Sequence, residues 1–204
     1  KASGSLGIVH EVSRTGVEPS TTSHSRVGGA GVWSAPSTFR TGPKDGCEPM
    51  RFVALGDNRS DDDKGASPHW NPILNEALAK EPAFILNTGD LVRDGAKDAQ
   101  WLHFLEATGA GVAHTPLMPS IGNNDDDKVE GDAATYNQIF SLPRNEDTGS
   151  EDYYFFIHGD AIFAAISSVT FTGGSTKFAE QAAWLDKVFT EHPKKWKFVF
   201  FHYP

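Results

Sequence analysis

Cysteine is all but missing: Cys47 stands alone among 204 residues. Neither a disulfide framework nor a thiolate zinc cage can therefore be assembled within the chain. Long apolar runs are missing too; none approaches the roughly 18 residues of a membrane span, so no membrane partner is expected. Basic residues are in deficit, with 18 Lys+Arg against 27 Asp+Glu and a net charge of −9. That balance argues against a dedicated binder of nucleic acid or anionic membrane. There is no internal repeat, and the 20 glycines and 12 prolines follow no collagen or linker period. The first residue is Lys1, not Met, and no signal sequence is visible, so a processed or trimmed piece is expected. What is present is enough for a core: 38% hydrophobic against 22% charged residues. The acidic surplus is compatible with a cation site, although most surplus carboxylates face solvent.

Composition changes near residue 50. Residues 1–50 are rich in Ser, Thr and Gly, and alternating stretches at 8–12 and 37–40 read as strands joined by turns. From Met50 onward, apolar strands alternate with amphipathic segments. Strands are expected at 51–55, 83–86, 117–121 and 197–201. Residues 153–157 and 161–166 flank His158-Gly159-Asp160, a hairpin signal. Asn71-Pro72 reads as an N-cap followed by Pro at the first helical position. Further helices are expected at 98–107, with Trp101, Phe104 and Leu105 on one face, and around 133–140. A helix at 178–190 carries Phe178, Ala182, Leu185 and Phe189 at helical spacing. Strand and helix in alternation point to an α/β domain with a largely parallel sheet.

Four of these strands end in a residue suited to bind a metal: Asp57, Asp90, Asn123 and His202. In open α/β sheets, sites form beyond the carboxyl ends of strands, so the four could converge there. Hard oxygen donors with one imidazole suit Mn, Fe, Zn or Mg. Taken singly, an Asp or Asn after Gly is more often a turn residue, and a lone His at a strand end is more often structural. Their order and strand context favour the metal reading.

Gly56-Asp57-Asn58-Arg59, Gly89-Asp90-Leu91-Val92-Arg93-Asp94-Gly95, Gly122-Asn123-Asn124-Asp125 and Phe201-His202-Tyr203-Pro204 resemble four of the five blocks of the calcineurin-like metallophosphoesterases. Within that superfamily the match is best to the purple-acid-phosphatase-like group of secreted enzymes. Residues 153–168 and 181–201 are similar to its hairpin and its helix-strand segment. The resemblance implies an αββα sandwich, here incomplete, over residues 46–204. It also implies secreted or periplasmic localisation. Residues 1–45 resemble the last strands of a fibronectin type III-like β-sandwich, although Ser23 stands where a corner tyrosine is usual.

The resemblance further implies two divalent or trivalent ions sharing Asp90. Asp57 would hold one of them, and Asn123 with His202 the other. The reaction would be hydrolysis of small phosphate mono- or diesters. Arg59 stands where the broad family has a metal-binding His. A guanidinium stays protonated and cannot ligate, so Arg59 is expected either beside the phosphate or in a salt bridge with Asp61, Asp62 or Asp63. Arg93 replaces the tyrosinate of true purple phosphatases. Asn124 replaces the histidine that protonates the leaving oxygen, and an amide does not titrate.

The sequence stops before a block that would add two histidines. Completion by a further segment of the same protein is therefore expected, with marginal stability without it. The acidic runs 61–63 and 125–127 are expected to be solvated, and His69, His103, His114, His158 and His192 structural or exposed. A catalytically degenerate scaffold with the same fold is the competing reading, favoured by Asn124 and the missing block. An adhesin built on residues 1–50 is the weakest.

Overall fold

The computed structural model describes residues 2–3, 6–46, 48–60, 67–126, 133–169 and 177–203. Three parallel strands carry the first half of the main domain: β7 (Val53–Leu55), β8 (Ile85–Asn87) and β9 (Leu117–Pro119), in the order β7-β8-β9. Val53 pairs with Ile85 and Ile85 with Leu117, and central β8 is buried along its whole length. Parallel neighbours need crossover connections. These are supplied by α1 (Trp70–Leu78) between β7 and β8 and by α2 (Asp98–Val112) between β8 and β9.

The second sheet has the order β10-β11-β12. Strands β10 (Tyr154–His158) and β11 (Ala161–Ala165) form an antiparallel hairpin through Gly159-Asp160. The chain then passes through α4 (Phe178–Glu191) to β12 (Trp196–Phe200), which runs parallel to β11. A short helix, α3 (Ala134–Ile139), precedes the hairpin.

Aromatic rings join the sheets. Phe163 of β11 lies 5.0 Å from Phe84 and 5.1 Å from Phe52, the residues just before β8 and β7. On the other side of β11, Ile162 and Ala164 pack with Trp184 and Val188 of α4. Among the described residues no helix is long and apolar enough to cross a membrane.

The amino-terminal residues form three two-stranded ribbons: β1 (Ala2–Ser3) with β2 (Gly7–Ile8), β3 (Thr22–Ser25) with β6 (Ser37–Arg40), and β4 (Gly28–Gly29) with β5 (Val32–Trp33). In the ribbon β4–β5 both Val32 and Trp33 are exposed. The β3–β6 ribbon is tied to the main domain where the Thr38 N–H donates to His114 Nδ1 at 3.1 Å.

Two local expectations are corrected. The first helix begins at Trp70, with His69 rather than Asn71 at its N-cap and no side-chain cap bond. Trp70 is buried and donates its indole N–H to Thr108 Oγ1 at 2.8 Å, which draws the helix start back two residues. On α4 the buried stripe is Gln181, Trp184 and Val188, not the one headed by Phe178 and Ala182, which are exposed. Gln181 is held inward because its amide clasps the Ser167 backbone, accepting the N–H and donating to the carbonyl at 2.8 Å each.

Candidate metal centre

Each parallel strand of the first sheet ends in a glycine-containing turn, and the turns meet at the carboxyl edge. Gly89 and Gly122 face each other so closely that a Cβ on either would collide with backbone of the opposite turn. Gly89 also has φ +100, which favours glycine. Asp57 and Asp90 both adopt left-handed backbone, with φ of 51 and 58. That conformation is uncommon outside glycine, although Asp tolerates it better than most residues. The turns are stitched together: the Asp57 N–H donates to Gly89 O at 3.0 Å and the Arg59 N–H to Asp90 O at 3.1 Å.

This geometry brings the four strand-end residues together. Ligand atoms of Asp57, Asp90 and His202 lie within 4.8 Å of one another. His202 Nε2 is 3.3 Å from Asp90 Oδ1 and 3.1 Å from Asn123 Oδ1. Its other nitrogen, Nδ1, lies 3.0 Å from Thr88 O. The Thr88 carbonyl can accept from Nδ1, and the ring turns Nε2, the nitrogen that a metal ion would take, toward the cluster. Carboxylate oxygens, an amide oxygen and an imidazole nitrogen thus converge, a donor set that fits a hard divalent ion.

Asp90 itself is buried and heavily bonded. Asn124 donates its backbone N–H to Oδ1 at 3.0 Å and its side-chain amide to Oδ2 at 2.6 Å. Arg59 Nε donates to Oδ2 at 2.7 Å. Arg59 therefore pairs with Asp90; Asp61, Asp62 and Asp63, the partners considered above, lie outside the described residues, as do Cys47, Asp127 and Pro204.

Asp125 corrects the expectation of a solvated acidic run. It is fully buried, and its carboxylate accepts four backbone N–H bonds: Asp90 and Gly122 on Oδ2, Leu91 and Val92 on Oδ1. Desolvation pushes its pKa up to about 7, against the lowering effect of the Val92, Gly122 and Leu91 bonds and with a raising contribution from neighbouring Asp90. The last residue of the third block thus clamps the second block to the third. Gln100 works one step further out, accepting the Arg93 and Asp94 N–H groups at 3.0 and 3.1 Å. Ser168 Oγ accepts the Tyr203 N–H at 3.1 Å beside His202. Composition does not reveal these supports; a glutamine on the buried face of a helix is the one signal that points to Gln100 and Gln181.

Strand ends that gather two aspartates, an asparagine and a histidine place this chain among α/β proteins built to hold a metal ion at the carboxyl edge of a sheet. Residues 50–204 match the calcineurin-like phosphoesterase family, and the chain belongs to it. Solved structures with a similar fold include a purple acid phosphatase isolated from yellow lupin (Lupinus luteus) seeds, at 17% identity and TM-score 0.62. That similarity covers 82% of this chain and 33% of the lupin one. The structure of PhoD is similar at 15% identity and TM-score 0.66, over 97% of this chain and 50% of PhoD. The chain thus spans between a third and a half of these proteins. No curated protein matches it.

Proposed function

We propose that the protein is a metal-dependent phosphoesterase acting on small phosphate mono- or diesters. The observation that carries this is the convergence of Asp57, Asp90 and His202 within 4.8 Å, with His202 Nδ1 beside Thr88 O and Nε2 turned to the cluster. Membership of the calcineurin-like phosphoesterase family supports it. Asp57, Asp90 Oδ1, Asn123 Oδ1 and His202 Nε2 would hold an ion of Fe, Mn, Zn or Mg. Bound there, it would supply Lewis acidity toward the phosphoryl oxygens. The chain's own residues orient and charge-balance the site: Arg59 offsets the charge of Asp90, and Asn124 holds its carboxylate in place. At position 124 an amide can donate a hydrogen bond but cannot give up a proton to a leaving oxygen. A pair of ions sharing Asp90 is the arrangement the resemblance implies.

The remaining parts of the reading are the αββα layering of residues 46–204, a fibronectin type III-like origin for residues 1–45, secreted or periplasmic localisation, and completion of the site by a further segment of the same protein. The lupin and PhoD structures, of which the match covers 33% and 50%, support the last of these.

Hydrolysis of nitrophenyl phosphate by the full chain, supplied with Mn, Zn or Fe and abolished by a chelator, is the test. No metal-stimulated turnover with any of these ions, in a chain shown to be folded, would refute it. The alternative is a non-catalytic scaffold of the same fold. It is favoured by one observation: both donors on Asp90 Oδ2 come from Arg59 and Asn124, where the family has histidines.

A further inference from the structure

Two buried asparagines stand beside the metal centre, and neither is among its expected ligands. Asn87 ends β8 and is fully buried, while Asn58 follows Asp57 in the turn after β7 and is also buried. Their amides form a relay with a single polarity. The Gly89 N–H donates to Asn87 Oδ1 at 2.9 Å, and Asn87 Nδ2 donates to Asn58 Oδ1 at 2.8 Å. Asn58 Nδ2 then donates to Leu91 O at 3.2 Å. The relay starts on the N–H of the residue before Asp90 and ends on the carbonyl of the residue after it. Between those ends it passes through the residue next to Asp57.

The backbone at both aspartates needs such a hold. Asp57 and Asp90 keep left-handed conformations, with φ of 51 and 58. Outside glycine that conformation persists only where the surroundings over-determine it. All three bonds of the relay are buried, where an amide is tolerated only if its polar atoms are matched. Asp125 fixes the second block to the third through backbone N–H groups; the asparagine relay fixes the second block to the first.

We infer that Asn58 and Asn87 are positioning residues of the metal centre. Their relay sets how the Asp57 and Asp90 carboxylates approach each other, and with it the affinity for a divalent ion. This rests on the metal-dependent reading above and deepens it. The polarity of the relay allows a change of chemistry at nearly constant shape. Asn87→Asp sets a carboxylate against Asn58 Oδ1, and Asn58→Asp sets one against the Leu91 carbonyl, so an acceptor meets an acceptor in each.

Calorimetric titration of Mn(II) into the full chain tests this without relying on turnover. Each Asp variant, shown by circular dichroism to be folded, is expected to bind Mn(II) about 10- to 100-fold more weakly than wild type. Phe84→Leu is the control. Phe84 lies at the other end of β8, packed against Phe52, Phe156 and Phe163, so its loss lowers stability without touching the relay. That variant is expected to bind Mn(II) as wild type does. A loss under about tenfold in the Asp variants, or an equal loss in Phe84→Leu, overturns the inference and leaves the metal-dependent reading intact. Failure of the wild-type chain to bind Mn(II), Zn(II) or Fe(II) overturns both.

If neither Asp variant folds, hydrogen exchange in the wild-type chain decides. Coupling is reciprocal, so an ion whose binding depends on the relay must in turn stabilise it. Zn(II) is expected to slow exchange of the Asn58 and Asn87 amide protons more than that of the Trp70 indole N–H. Equal slowing, or none, overturns the inference.

Discussion

Asp125 Oδ2 accepts the backbone N–H of Asp90 at 2.8 Å, so a buried carboxylate in one turn fixes the backbone of the central aspartate in another. The same carboxylate holds Leu91, Val92 and Gly122, and the distance between the second and third blocks depends on it.

Asp125→Ala leaves four buried backbone N–H groups without an acceptor. Each unsatisfied donor costs about 1–3 kcal/mol, with partial relief by relaxation, so a loss of about 3–5 kcal/mol is expected in urea unfolding. Asp94→Ala is the control: its side chain is 44% exposed and its ion pair to Lys97 is 3.6 Å long. That change is expected to cost less than about 1 kcal/mol. Equal losses for the two variants would show that Asp125 is not the clamp described.

Gln181→Leu removes both hydrogen bonds to the Ser167 backbone and strands a buried N–H and carbonyl. About 2–4 kcal/mol of destabilisation is expected from those two groups. Ser168, next in sequence, bonds the Tyr203 N–H, so affinity for a divalent ion should fall as well. Calorimetric titration of metal into Gln181→Leu checks this; unchanged affinity would uncouple α4 from His202.

His158 sits at the end of β10 with its ring 5.6 Å from that of Phe84, and burial lowers its pKa below the ordinary value, against a raising contribution from Glu48. The folded state therefore binds this proton less readily than the unfolded chain. Its contribution to stability is complete above the unfolded value near 6.5 and is lost as pH falls below it. Wild type should lose more stability between pH 8 and pH 5 than His158→Gln does, as read from denaturant midpoints. A wild-type profile no steeper than that of the variant would contradict this.

Asn124 cannot supply a proton, and its amide is committed to Asp90 at 2.6 Å. If the protein turns over phosphoesters, nitrophenyl phosphates should be cleaved about 10²- to 10⁴-fold faster than alkyl phosphates, because general acid catalysis is worth that much. Asn124→His should raise the alkyl rate selectively. Equal gains for both substrates would mean that proton delivery is not what Asn124 lacks.

Much of the fold was legible in the chain. Short apolar strands at 51–55, 83–86 and 197–201, each followed closely by a polar residue, correspond to β7, β8 and β12 within two residues at each end. The expected hairpin around Gly159-Asp160 is present as β10 and β11. Period and turn chemistry are local properties, so they survive folding unchanged. Three of the four strand-end residues, Asp57, Asp90 and Asn123, meet because the parallel sheet directs their turns to one edge. His202 joins them from the end of β12 in the second sheet.

Partnership is different. That Arg59 would lie against Asp90, that Asp125 would be buried under four N–H groups, and that Gln181 rather than Phe178 would face inward are all decided by groups far apart in sequence. A charged or amide side chain carries no local preference for burial; it goes inside only where the folded backbone presents donors or acceptors to match it. Sequence by itself determined where the strands end and which ligand types stand there. Tertiary structure alone decided what surrounds those ligands, because hydrogen bonds between separate turns bring Arg59 and Asn124 onto Asp90 and leave its Oδ1 also beside the histidine.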